Sequence, residues 1–144
     1  MNCAYCDFPE IKVREITRNK LAWVVPTNIP IVPGHVLILP IRHVANFSDL
    51  TSQELEAIFD LRKRLIPVMK NLFGAEGFNY AWNEEKIAGQ SVPHFHLHML
   101  PRKAGDTGIT EYEPRIFLYR PGERETTPEI ELQSIARLIR EKLA

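Results

Sequence analysis

Apolar positions along the chain follow two different periods. Over residues 12 to 25 they recur at every second position, with Leu21, Trp23 and Val25 in line, which predicts two short strands meeting at a turn near Asn19 and Lys20. The segment TNIPIVPGH that follows holds Pro30, Pro33 and Gly34. These residues interrupt both periodicities, so the segment reads as a loop. VLILP, residues 36 to 40, is a short unbroken apolar run and predicts a central strand.

The period then lengthens. Leu55, Ile58, Phe59, Leu61, Leu65, Ile66, Met69, Leu72 and Phe73 form a stripe near 3.6 residues per turn. Thr51 with Glu54 three residues on makes a capping box at its start. Pro67 is expected to kink or shorten this helix, and Gly74 to Gly77 to close it. Phe78, Tyr80 and Trp82 return to alternation as a strand, EEKIAG is a turn, and residues 94 to 100 are a further strand. Residues 103 to 126 carry few periodic signals and read as an excursion over the surface. Thr127 and Pro128 open a last helix whose apolar face is Leu132, Ile135, Ala136, Ile139 and Leu143. Several strands with few helices between them predict an antiparallel α+β domain: one sheet, one long central helix and a C-terminal helix.

Composition narrows the setting. At 144 residues the chain is expected to be a single domain, residues 1 to 144, with a real core. Its 44% hydrophobic and 25% charged residues are ordinary for a globular protein. Eighteen basic residues balance eighteen acidic ones, which argues against nucleic acid or a membrane surface as partner. A signal peptide and a membrane span are not expected, and two cysteines three positions apart make a poor disulfide framework. A cytoplasmic location is the expectation.

The chemistry concentrates in QSVPHFHLHMLPR, residues 90 to 102, which holds three of the five histidines at every second position. In a strand, residues two apart share a face and lie about 6.6 Å apart. His94, His96 and His98 therefore point one way and Phe95, Leu97 and Met99 into the core. Three uses compete for such a row. Polar residues on a solvent face would explain the alternation but not its restriction to histidine. Two histidines at i, i+2 can chelate a catalytic zinc. The preferred use makes one imidazole a nucleophile that attacks an α-phosphorus, with its neighbours orienting it or protonating the departing oxygen.

HFHLHML has the His-x-His-x-His pattern of the histidine triad (HIT) superfamily. PGHVLILPIRHV, AGQSVPHFHLHMLPR and KAGD extend the similarity over about residues 3 to 106, and it is strongest to the fragile histidine triad and bacterial HIT hydrolase branches. The resemblance implies a HIT-like fold, a homodimer and a nucleotidyl-histidine intermediate on His96, with His98 contacting the phosphate and bridging oxygen. It implies that Asn83, Gln90 and Ser91 surround the phosphates, that Gly89 lets the backbone approach the ligand, and that no catalytic cofactor is needed. Dinucleoside polyphosphates such as diadenosine tri- or tetraphosphate are the implied substrates. A nucleoside phosphoramidase, or a nucleotide-binding regulatory module with incidental turnover, is the alternative. Two positions depart from the pattern: Glu85 stands where the family often has Gly, and Thr27 where it has a ribose-binding Asp or Asn.

Cys3 and Cys6 form C-x-x-C, which alone is a weak metal signal and lacks the βαβ context of a redox motif. The resemblance adds His43 and His94 to them as ligands of a structural zinc. Two thiolates and two imidazoles make a closed tetrahedral set with no open position for substrate. His35 reads as structural.

Overall fold

The computed structural model describes residues 3–106 and 126–144. Five strands form one sheet in the order β1-β2-β3-β5-β4: β1 (Thr17–Arg18), β2 (Ala22–Pro26), β3 (Val36–Pro40), β4 (Gly77–Ala81) and β5 (Leu97–Arg102). Every neighbouring pair is antiparallel, as the pattern of strands with few helices predicts. β2 and β3 are buried along their whole length, which is why they read as nearly unbroken apolar runs.

One sheet face carries Val24, Ile38, Leu97 and Met99 into the main core. The helix α3 (Ser52–Phe73) covers it with Ile58, Leu61, Leu65 and Met69, and the C-terminal helix with Ala136 and Ile139. That C-terminal helix, Glu129–Leu143, is α4 here. The capping box is present in full: Thr51 Oγ1 accepts from the Glu54 N–H at 3.1 Å, and Glu54 Oε1 from the Thr51 N–H at 2.9 Å. Pro67 does not shorten α3, which runs unbroken to Phe73. Its ring lies on the exposed side while buried Leu65, Val68 and Met69 hold the flanking turns against the sheet. Packing therefore outweighs the lost hydrogen bond.

The other face carries Trp23, Val25, Leu37 and Leu39, covered by Ile11, Ala4 and Tyr5. Those last three come from the N-terminal segment, which folds as two single turns, α1 (Ala4–Asp7) and α2 (Pro9–Lys12). The expected first strand near residue 12 is accordingly short and begins only at Thr17. β5 begins at Leu97 rather than His94, because the Phe95 N–H leaves the ladder to donate to the Val44 carbonyl at 2.6 Å. Gly34 turns the chain into β3 with φ +88; a Cβ there would stand 2.9 Å from both Phe73 Cδ2 and Pro101 Cγ. Of the surface excursion expected over 103 to 126, residues 107 to 125 lie outside the described residues. Among the described residues no helix is long and apolar enough to cross a membrane.

Candidate active site

Register brings the site together. Leu37 pairs with His98 across β3 and β5, Ala81 pairs with His98 across β4 and β5, and Val25 pairs with Leu37 across β2 and β3. This row lines a cavity of about 600 Å³ that also takes in Tyr5, Thr27, Asn83, Ser91 and His96. Phe95, Leu97 and Met99 lie in the main core, so the histidines occupy the opposite side as their spacing predicts.

Hydrogen bonds decide the proton on each ring. His96 Nδ1 lies 2.7 Å from the His94 carbonyl oxygen. A carbonyl only accepts, so Nδ1 carries the proton and Nε2 keeps its lone pair. His96 is 6% exposed, and burial lowers its pKa against the opposing pull of the His94 carbonyl, which keeps the ring neutral. The Tyr5 ring packs against it with centroids 5.3 Å apart. The orienting group is thus the backbone of His94, not its imidazole.

His98 is set by a longer chain. The Ile31 N–H donates to His35 Nδ1 at 3.1 Å, so His35 carries its proton on Nε2. That nitrogen lies 2.9 Å from His98 Nδ1 and donates to it. His98 then holds its proton on Nε2. The rings of His96 and His98 are 5.0 Å apart, one offering a lone pair and the other a donor.

The loop from 83 to 91 supplies the remaining polar groups. Asn83 and Ser91 reach the cavity wall, and Asn83 Nδ2 lies 3.4 Å from the Gly89 carbonyl. Gln90 is employed differently. Its Nε2 donates to the Ala45 carbonyl at 2.9 Å and its Oε1 accepts from the Glu85 N–H at 3.2 Å, so its side chain braces the loop. Gly89 turns with φ +99. Glu85 has φ +68, the only non-glycine positive φ among the described residues, which is the physical reason a glycine suits that position.

Cys3, Cys6, His43 and His94 converge, with one ligand atom from each lying within 4.8 Å of the others. The single turn of α1 puts the two thiols three residues apart on one side. His43 follows β3 and His94 precedes β5, so the group ties the N-terminus to the ends of two central strands. His94 Nε2 donates to the Pro40 carbonyl at 2.8 Å, which leaves Nδ1 as the coordinating atom. Nδ1 stands 3.4 Å from Cys3 Sγ and 3.5 Å from Cys6 Sγ, and His43 Nδ1 is 3.7 Å from Cys6 Sγ. Tetrahedral zinc with ordinary Zn–S and Zn–N bonds would give an S···N edge of about 3.6 Å. The donor set fits a closed metal site. Burial, then the Cys3 thiol, pushes the Cys6 thiol up to about 11, so its proton must leave for a cation to bind. Burial first, and then His43 and His96, lowers the His94 pKa, which suits a neutral ligand.

The structure thus gathers Asn83, Ser91, His96 and His98 on one cavity and Cys3, Cys6, His43 and His94 into a separate cluster. Sequence reasoning read His35 as structural, whereas it lines the cavity and bonds to His98; it missed Tyr5 and the start of α4 as cavity lining. Nothing in the sequence marked Tyr5, or Thr127 and Glu129, as cavity lining.

The HIT domain profile matches residues 9–105. The chain is 39% identical over 89 residues to a bis(5'-nucleosyl)-tetraphosphatase (asymmetrical) of Schizosaccharomyces pombe, covering 62% of this chain and 49% of that protein. It is 35% identical over 99 residues to a bis(5'-adenosyl)-triphosphatase of Dictyostelium discoideum, covering 69% and 63% respectively. This chain therefore spans roughly half to just under two thirds of those two relatives. Among solved structures, the Plasmodium falciparum diadenosine triphosphate hydrolase, crystallised with cyclomarin A, aligns with a TM-score of 0.74 at 26% identity. That alignment covers 92% of this chain and 77% of that one.

Proposed function

The chain belongs to the HIT domain family, and from that premise we propose that residues 1 to 144 form one HIT domain. It is a nucleotidyl hydrolase or transferase that cleaves dinucleoside polyphosphates at the α-phosphorus. The observation carrying this reading is the pair of opposed tautomers on one cavity: a lone pair on His96 Nε2 beside an N–H on His98 Nε2. The names of its relatives, a tetraphosphatase and a triphosphatase, agree with it.

His96 Nε2 attacks the α-phosphorus. A P–N bond forms as the bond to the bridging oxygen breaks, and the electron pair leaves on the polyphosphate. His98 Nε2–H, Asn83 Nδ2–H and the Ser91 hydroxyl meet the charge developing on the phosphoryl and bridging oxygens. Water then attacks phosphorus, the P–N bond breaks, and His96 regains its lone pair while a proton passes to solvent. With its Nδ1 accepting from His35, His98 offers its Nε2–H as a hydrogen-bond donor to the departing oxygen. A polyphosphate leaves readily under that assistance. An amine must be fully protonated to leave, which favours polyphosphates over phosphoramidates.

The Cys3, Cys6, His43, His94 group would hold zinc, which supplies rigidity to the N-terminal segment and the His94 backbone and takes no part in the steps above. The chain works in the cytoplasm as a homodimer joined along β4. Support comes from two reduced cysteines and from an edge strand bordered by half-exposed Tyr80 and Trp82.

Trapping tests the reading. Brief mixing with diadenosine tri- or tetraphosphate, an alkaline quench and peptide mass analysis are expected to reveal an AMP adduct on residues 90 to 102. The adduct disappears in His96→Ala. No adduct, with activity lost on chelation and restored by zinc, would overturn it in favour of a metal-bound hydroxide.

A further inference from the structure

The far end of the cavity holds an ionic group that the phosphate chemistry does not use. Leu37 lies one strand from His98 and Val25 two strands away, roughly 10 Å across the sheet. With Ile11, Phe8 and Ile29 they line an apolar slot suited to a nucleobase. At its border stands Arg14, whose side chain is only 8% exposed. Nη1 makes a long 3.3 Å bond to Oε2 of Glu129 at the start of α4, and Nε is buried with no hydrogen-bond partner among the described residues.

A guanidinium removed from water with one long bond to a half-exposed carboxylate is under-compensated, and an orphaned buried donor calls for an acceptor. Among the described residues, the other charged groups on this part of the wall are the carboxylates of Glu10 and Glu129, which disfavour a further phosphate here. The missing partner is therefore a neutral group rich in acceptors. With Nη1 held by Glu129, Nε and Nη2 form the remaining edge of the fork, two parallel donors that match two adjacent acceptors. Guanine and hypoxanthine present O6 and N7 side by side, whereas adenine sets an amino group against one of the donors.

We infer that Arg14 is a base-specificity residue and that the cavity prefers a 6-oxopurine nucleotide to an adenine nucleotide. This rests on the nucleotide-cleaving function proposed above and adds the base. Accommodation requires the guanidinium to swing from its buried position toward the slot, a side-chain motion that the long Glu129 bond permits.

Calorimetric titration of the full chain with GMP, IMP, AMP and UMP tests it. GMP and IMP are expected to bind alike and roughly tenfold or more tighter than AMP, the discrimination of one bidentate pair. Arg14→Gln and Arg14→Lys, checked for folding by circular dichroism, are expected to bind GMP and AMP about equally, since lysine cannot offer the fork. AMP binding as tightly as GMP to the wild-type protein would overturn the inference. So would a GMP preference that survives in folded Arg14→Lys. GMP binding far more tightly than IMP would overturn it too, by moving the recognition to the guanine 2-amino group and Glu129. Failure of every nucleotide to bind would instead sink the proposed function itself.

Discussion

His35 Nε2 stands 2.9 Å from His98 Nδ1, and the other nitrogen of His35 is occupied by the Ile31 N–H. A loop amide thereby dictates, through two imidazoles, which nitrogen of His98 carries its proton. His35→Leu is expected to lower kcat about 10- to 100-fold with little change in KM, because the lost donor orientation matters most in the transition state. His35→Gln, whose amide N–H can replace Nε2–H, is expected to recover part of the loss. Steady-state kinetics on both variants decide it; equal defects would reduce His35 to a packing role.

His96 and His98 are expected to separate by leaving group. His96→Ala abolishes turnover while nucleotide affinity and the circular dichroism spectrum stay near wild type. His98→Ala costs about 10²–10³-fold in kcat, the magnitude of one lost oxyanion donor. A substrate with a better leaving group partly restores His98→Ala and leaves His96→Ala inactive. Restoration of both would contradict a histidine nucleophile.

Metal content is the third measurement. Elemental analysis is expected to find about one zinc per chain, and Cys6→Ser to lower both zinc content and melting temperature. Chelation is expected to lower stability. Protein purified without chelators that contains no metal would remove the zinc assignment.

Glu54 links charge to stability. Hydrogen bonds from Arg42 hold its carboxylate below the usual range against the opposing effect of burial, and Thr51 adds to the lowering. A depressed folded pKa contributes stability above the unfolded value and loses it as pH falls through the folded one. Glu54→Gln is therefore expected to cost about 1–3 kcal/mol at pH 7, by urea denaturation. The difference from wild type shrinks toward zero below about pH 4. A gap that persists unchanged into acid would mean that shape, not charge, is responsible.

Glu85 adopts φ +68 and ψ +153, a region open mainly to glycine. The turn that holds it is closed by the Ala88 and Gln90 N–H groups, both donating to the Glu85 carbonyl. Glu85→Gly is expected to raise stability by about 1 kcal/mol, seen as a higher melting temperature, without moving the Gln90 brace. Destabilisation would indicate that the carboxylate contributes more than the backbone costs.

Period and spacing were enough for several parts of this protein. Thr51 and Glu54 announced a capped helix because a capping box is a local contact. Histidines two apart in an extended segment had to share a face, with Phe95, Leu97 and Met99 on the other. The pattern of strands with few helices between them pointed to an antiparallel sheet. Cys3, Cys6, His43 and His94 were legible only through a family resemblance, since their spacing of 91 residues between first and last carries no periodic signal. What the tertiary structure alone decided is finer. The short N-terminal turns displaced an expected strand because Ile11 and Tyr5 had a second apolar sheet face to cover, and Pro67 was absorbed because its neighbours were already anchored. The proton on His98 depends on His35, 63 residues away, and the bracing role of Gln90 on the Ala45 carbonyl. Arg14 meets Glu129 at the cavity border because α4 returns there, 115 residues on. Such contacts join residues that no window of sequence holds together, so hydrogen-bond direction and burial could be decided only once the chain had folded.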